Sequence, residues 1–263
     1  MPKNQSESSN DLQDEKKPGR HINWFLILLV VAPFGLLIAR EISRGGLIGY
    51  MRLADVGDLL LLSPLYIILL IYMQFYMARY GAPAPIQIAF ISFGFLFIFG
   101  QSMHLTANAI NTFATEVRDY KEILPDDLYT LIFDLDERLS HWILLTAAMG
   151  LIATWFIYDN LRISPPIFPS NLLLIVLVGA IWGAVMALSI IEARMVVFSI
   201  PVILALAGLW IYYWRRSGQK LMDFALQRPY TGFVAVFIIF GLTFMFVWGL
   251  SYGGFPQPSE LGL

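Results

Sequence analysis

Long, continuous runs of apolar residues separated by short polar segments dominate this chain. Seven of the runs hold close to the number of residues, about 20, that a helix needs to cross a hydrocarbon core of roughly 30 Å. They lie at approximately Ile22–Ala39, Val56–Ala78, Ile86–Asn108, Leu139–Tyr158, Asn171–Ile191, Met195–Trp214 and Tyr230–Trp248. Because the runs are continuous rather than alternating, they indicate helices and not the strands of a membrane barrel. The pattern predicts an all-α, polytopic integral membrane protein, a seven-transmembrane-helix bundle.

The polar segments predict how the rest of the chain is organised. Residues 1–20 are polar and of mixed charge, which is typical of a disordered tail. Residues 21–252 form the predicted seven-span membrane domain, and residues 253–263 a short C-terminal tail. Between the third and fourth spans, Asp126–Phe133 is amphipathic and predicts a short surface helix. The first run ends without a small-residue cleavage site, so we expect it to be retained rather than removed as a signal peptide.

Composition supports the membrane assignment and removes several kinds of site. Of the 263 residues, 58% are hydrophobic and only 14% charged, whereas soluble domains carry about 25% charged residues. The chain has no cysteine, which excludes disulfides and iron–sulfur clusters held by thiolates. No basic patch indicates nucleic acid, and nothing indicates a nucleotide or a flavin. The oligomeric state is left open.

Two histidines stand inside these otherwise apolar spans, although the chain has only three in total. His104 shares a stripe at helical intervals of three and four with Gln101, Asn108 and Asn111. Polar side chains within a span face other helices or water, because exposing them to lipid is expensive. The stripe therefore predicts either a functional surface or hydrogen bonding that holds neighbouring helices together.

The second histidine, His141, follows a run of acidic residues at the start of the fourth span. Asp134, Glu137 and His141 are spaced to share one helix face, and Glu137 and His141 form an i, i+4 pair that can chelate a divalent cation. Asp136 pairs with Ser140 at the same spacing. An ordinary acidic helix entry would also explain the carboxylates, since they suit the positive end of the helix dipole.

Successive spans cross the membrane in opposite directions. The end of the third span, the start of the fourth and the end of the fifth therefore lie at the same membrane face, and these polar groups lie there. The sequence predicts a zinc or iron site there, since imidazole and carboxylate suit both metals. The expected ligands are His104, Asp134, Glu137 and His141. The expected catalytic residues are Asn108, Asn111, Asp136 and Glu192. Such a metal would activate a bound water, so we expect a metal-dependent hydrolase acting on a lipid or another membrane substrate.

Three other functions fit the same residues. The cluster could relay protons or pass a cation in a coupled transporter or channel. His104 and His141 could ligate one haem in an electron-transfer protein. The cluster could also be structural, in a non-catalytic membrane subunit. Basic residues near the span ends favour a cytoplasmic N-terminus, with the C-terminus and the polar site on the opposite face.

Seven spans with histidines and acids gathered at one face resemble, in architecture, the CREST group of membrane hydrolases, which includes alkaline ceramidases and progestin/adipoQ receptors. That group pairs an early Ser and His with a late HxxxH motif and binds zinc through three histidines. No histidine follows His141 in this chain, so the late pair is missing and the resemblance assigns no residue a role. The seventh span has no lysine for a retinal Schiff base, which argues against a rhodopsin-type pump.

Overall fold

A computed structural model describes residues 47–48, 51–113, 125–162 and 169–261 of the chain. Within these ranges the protein is helical apart from two-residue strands, β1 (Leu47–Ile48) and β2 (Met51–Arg52), which pair antiparallel. The α-helices are α1 (Leu53–Gly57), α2 (Ser63–Arg79), α3 (Ala84–Thr112), α4 (Asp126–Phe133), α5 (His141–Leu161), α6 (Pro169–Glu192), α7 (Val196–Ser217), α8 (Leu221–Gln227) and α9 (Pro229–Tyr252). Two π-helical segments, Asp58–Leu62 and Asp134–Ser140, join α1 to α2 and α4 to α5. A 3-10 turn, Pro258–Leu261, ends the described chain.

Six helices in the described ranges are long and apolar enough to cross a membrane. They cover Asp55–Arg79, Ala84–Thr112, Asp126–Leu161, Asn171–Glu192, Val196–Ser217 and Pro229–Tyr252. Six of the seven predicted spans are thus found as apolar helices, and the multi-pass membrane assignment is confirmed at that level. The remaining predicted span, Ile22–Ala39, and the predicted tail at residues 1–20 lie outside the described residues. The seven-span count and the orientation of the termini stay predictions.

The predicted amphipathic helix forms, but it is not separate from the fourth span. Pro125 precedes α4, and Asp126 and Asp127 occupy its first turn, where the helix dipole favours negative charge. From there the chain stays helical through the π-helical segment and α5, over the 36 residues Asp126–Leu161. The acidic residues before His141 therefore lie within one continuous helix.

Glycines allow two pairs of helices to approach closely. A Cβ on Gly100 of α3 would lie 2.9 Å from the backbone nitrogen of Leu144 in α5, and one on Gly183 of α6 would lie 2.6 Å from the carbonyl oxygen of Phe237 in α9. Real Cβ atoms essentially never approach backbone this closely, so both contacts require glycine. Gly179 and Gly183 form the GxxxG pattern of the sequence, and here it packs two helices of the same chain.

The outer surfaces of the helices are apolar. Leu60, Phe75 and Val197 are 65%, 71% and 78% exposed, respectively. Large exposed side chains of this kind, repeated on every span, are unfavourable in water and suit a helix surface that faces lipid. The core lies between the two glycine-packed pairs, and it positions polar groups at both ends of the bundle.

Candidate functional site

The predicted convergence of polar groups at one end of the bundle is observed among the described residues. The segment from α1 to Asp58, the end of α3 and the π-helical entry to α5 meet there. The end of α6 is also close, since the indole nitrogen of Trp142 donates to the carbonyl oxygen of Ala193 at 3.3 Å. We call the group formed by Asp55, Asp58, His104, Asp136 and His141 the His/Asp cluster.

The centre of the His/Asp cluster is a contact between an imidazole and a buried carboxylate. Nδ1 of His104 lies 3.0 Å from Oδ1 of Asp136. Asp136 is 0% exposed, whereas the His104 side chain keeps 25% of its surface accessible. The ring of His141 lies beside that of His104, with 4.7 Å between the ring centroids. Among the described residues neither Oδ1 nor Oδ2 of Asp136 accepts a hydrogen bond of regular geometry, so the 3.0 Å contact has the distance of an ion pair.

The π-helical segment brings Asp136 to the helix face that carries His141, whose ring lies beside that of His104. In a π-helix the backbone hydrogen bonds join residues five apart, so Asp136 and His141, which are five apart, share a face. The predicted pairing of Glu137 with His141 assumed regular α-helical spacing. The side chain of Glu137 lies outside the described residues. Asp136 was predicted as a catalytic residue rather than a metal ligand, and that role stays a prediction.

A second carboxylate pair lies against the same histidine. The amide Nδ2 of Asn108 donates to Oδ1 of Asp55 at 2.7 Å, and Asp55 is only 5% exposed. Asp58 is near enough to interact electrostatically with Asp55 and His104. Asp58 begins the π-helical segment Asp58–Leu62, so this segment and Asp134–Ser140 both border the cluster. Isolated π-helical turns often mark functional sites in proteins.

The predicted metal ligand set is not assembled among the described residues. Oδ1 of Asp134 pairs with Arg138 at 2.9 Å, and both side chains are well exposed, at 40% and 60%. In the described ranges no group of three or more His, Cys, Asp or Glu is arranged to hold a metal ion. The structure therefore gives the predicted zinc or iron centre no support.

The other predicted catalytic residues lie at the edges of the His/Asp cluster. Asn111 is half-buried on α3, one turn beyond Asn108. Glu192 ends α6, and its backbone carbonyl accepts a hydrogen bond from the side chain of Gln257. Arg194 donates to Gln257 at 2.9 Å and forms an ion pair with Glu260. The C-terminal segment thus folds back onto the end of α6.

Sequence reasoning missed a buried carboxylate at the opposite end of the bundle. Oδ2 of Asp159, near the end of α5, accepts hydrogen bonds from the backbone N–H of Thr231 at 2.8 Å and from its hydroxyl at 2.9 Å. Helix α9 has no side-chain cap of its own at Arg228, so Asp159 supplies the cap from another helix. The sequence did offer one signal of this contact. Helix α9 begins at Pro229 after Arg228, which is not a capping residue, so its cap had to come from elsewhere in the chain.

Comparison with known proteins gives no match: no protein-family model, curated protein or solved structure corresponds to this chain.

Proposed function

We propose that this protein is a membrane-embedded hydrolase, that its substrate is a lipid or another membrane-dissolved molecule, and that Asp136 and His104 form its general base. The observation that carries the proposal is the 3.0 Å contact between His104 and the fully buried Asp136. A carboxylate inside an apolar bundle is costly unless it is paired, and ionisable residues kept within spans usually serve a function.

The geometry suits proton transfer at His104. A carboxylate beside Nδ1 favours the tautomer that carries its proton there, which makes Nε2 the unprotonated ring nitrogen. Nε2 can then accept a proton from a water molecule that attacks the substrate. The imidazolium that forms is stabilised by Asp136, as in other carboxylate–histidine pairs. His141 lies close enough to share in the proton transfer.

The amides of α3 supply the electrostatic part of the proposed mechanism. Asn108 is held in place by its 2.7 Å hydrogen bond to Asp55, so its orientation is fixed before substrate binds. Asn111, one turn further along, is proposed to donate to the negative oxygen that develops on an attacked ester or amide. Preorganised donors of this kind are among the largest contributions to catalysis.

A zinc or iron ion on His104 and His141 is an extension of this proposal. Metal-bound imidazoles commonly give their other N–H to a carboxylate, which is the arrangement of His104 and Asp136. When bound, the ion would make a water more acidic. Elemental analysis of purified protein tests the extension. Near-stoichiometric metal that is lost in His104→Ala and His141→Ala would support it, and active metal-free protein would contradict it.

The hydrolase proposal is tested with protein reconstituted in vesicles of a total membrane lipid extract. Mass spectrometry follows loss of lipids and formation of hydrolysis products. We expect His104→Gln and Asp136→Asn to slow product formation by about 10²–10⁴-fold. Ser102→Ala is the matched control, because Ser102 lies on the same helix as His104 but is exposed. Its hydroxyl donates only to the backbone carbonyl of Ile98, one turn earlier in that helix. No product from wild-type protein, or equal rates in His104→Gln, would contradict the proposal.

A proton- or cation-coupled transporter is the second candidate, and Asp159 is the observation that favours it. Asp159 follows His141 by 18 residues in the same helix, so the two buried acidic sites lie about 27 Å apart, near opposite faces. Proteoliposomes under a pH gradient test this function. Flux that is abolished by Asp136→Asn, without any lipid product, would favour transport over hydrolysis.

The direct contact of the two imidazole rings, at 4.7 Å between centroids, leaves no room for a porphyrin between them. We therefore do not propose the haem function.

A further inference from the structure

A cavity of about 110 Å³ lies in the middle of the bundle, away from the His/Asp cluster. It is bordered by α2, α3, α5, α6 and α9, and it occupies the seam between the two glycine-packed helix pairs. Its wall includes Phe90, Leu151, Trp155, Trp182 and Phe237. Along α5, Leu151 follows His141 by ten residues, so this part of the wall lies about 15 Å from His141.

The α5 side chains that line the cavity keep part of their surface accessible. Ala148, Leu151 and Ile152 are only partly buried although they line the cavity, whereas Ala147 on the same helix is 0% exposed. With Trp155 they recur at intervals of three and four, which places them in one stripe. The surface that they retain faces the cavity.

The chemistry of the wall limits what can occupy the cavity. The wall is entirely apolar, even where Trp155, Trp182 and Tyr230 contribute to it. Water in a cavity needs two to four polar partners, so apolar cavities stay dry and accept apolar ligands. Protein interiors are otherwise packed as tightly as organic crystals, and a void of this size leaves its lining without contacts on one side.

We propose that this cavity is a binding site for a compact hydrocarbon group. An apolar cavity of about 150 Å³ holds a benzene molecule, so about 110 Å³ corresponds to roughly four carbon atoms. The group is either the end of a membrane hydrocarbon chain or a small free apolar molecule. The proposal does not rest on the hydrolase function, because none of the residues of the His/Asp cluster lines the cavity.

Xenon is the probe that tests the site, because it is apolar and is located directly by anomalous scattering. Crystals of wild-type protein under xenon pressure are expected to show a peak in contact with Leu151 and Phe237. Ala148→Leu adds three carbon atoms to the wall and is expected to remove the peak. Ala205→Leu, the same change at an exposed position of α7, is the matched control and should retain it.

A wild-type crystal without a xenon peak in the cavity, or an equal peak in Ala148→Leu, would overturn the proposal. The wild-type result decides even if Ala148→Leu does not fold. Phospholipids brominated at the chain ends then distinguish the two sources, since bromine quenches tryptophan emission and Trp155 lines the cavity. Stronger quenching in wild type than in Ala148→Leu identifies a membrane chain. Equal quenching, with xenon bound, identifies a free apolar molecule.

Discussion

The backbone contact between α6 and α9 at Gly183 gives the sharpest stability prediction. In Gly183→Ala, the new Cβ would lie 2.6 Å from the carbonyl oxygen of Phe237, 3.0 Å from the backbone nitrogen of Gly241 and 3.2 Å from Cβ of Phe240. Two of these neighbours are backbone atoms of α9, which a rotamer change cannot move. Helices α6 and α9 must therefore separate.

The geometry sets the size of the effect. Restoring ordinary contact, at 3.4 Å or more, requires a separation of about 0.8 Å from the 2.6 Å approach, and gaps of about 0.5–1 Å forfeit a quarter to a half of each dispersion contact. Overpacking of this kind costs about 1–3 kcal/mol. Replacing a helical glycine by alanine stabilises the helix itself by up to about 1 kcal/mol. We expect a net loss near 2 kcal/mol, which corresponds to a fall in Tm of about 4–8 °C.

Thermal unfolding of detergent-purified protein, followed by tryptophan fluorescence, measures this change. Gly208→Ala is the matched control, because it makes the same substitution in α7, where a Cβ meets nothing within 4 Å. Its Tm is expected to stay level or to rise. If Gly183→Ala is as stable as Gly208→Ala, the close packing of α6 on α9 is wrong.

Two further predictions concern the ends of the bundle. Asp159→Ala leaves the buried backbone N–H and hydroxyl of Thr231 without their acceptor, so we expect the free energy of unfolding to fall by about 1–3 kcal/mol. In the same unfolding assay Asp159→Asn, which keeps one acceptor oxygen, should lose less stability. Equal losses in the two variants would contradict the role of Asp159 as a cap. At the other end, the backbone N–H of Gln257 and then the guanidinium of Arg194 lower the pKa of Glu260. A lowered pKa in the folded state means that this contact stabilises the C-terminal segment fully above the ordinary pKa of a glutamate, and that the stabilisation is lost as pH falls through the lower folded pKa. In limited proteolysis the C-terminal segment of the wild type should be protected at pH 7 and lose that protection in acid. The Glu260→Gln variant should be cleaved readily at pH 7. Full protection of that variant would refute the prediction.

The fold was largely predictable because membrane spans have a strong local signal. Each span needs about 20 apolar residues, and five of the predicted spans agree with the observed helices within a few residues. The fourth differs, because its helix already begins at Asp126 and not at Leu139. The convergence of His104 and His141 was also predictable, since it follows from the order of the helices and the direction in which each crosses. Their rings are in contact, as that prediction requires.

The partners of these histidines were harder to predict. The contact of Asp136 with His104 was not predicted. Asp136 lies in a π-helical segment, and one inserted residue in a hydrogen-bond ladder leaves no clear pattern in the sequence. Asp159 was overlooked because it lies just past the predicted end of its span. Its role as a cap for α9 depends on a contact with Thr231, 72 residues away.

The proposed base depends on one proton position, and histidine-selective 15N NMR measures it directly. The chain has only three histidines, so single His→Gln variants assign every imidazole signal. We predict that neutral His104 carries its proton on Nδ1, beside Asp136, and that Asp136→Asn shifts this equilibrium toward the Nε2–H tautomer. A His104 that is protonated on Nε2 in the wild type, and unchanged in Asp136→Asn, would contradict the account.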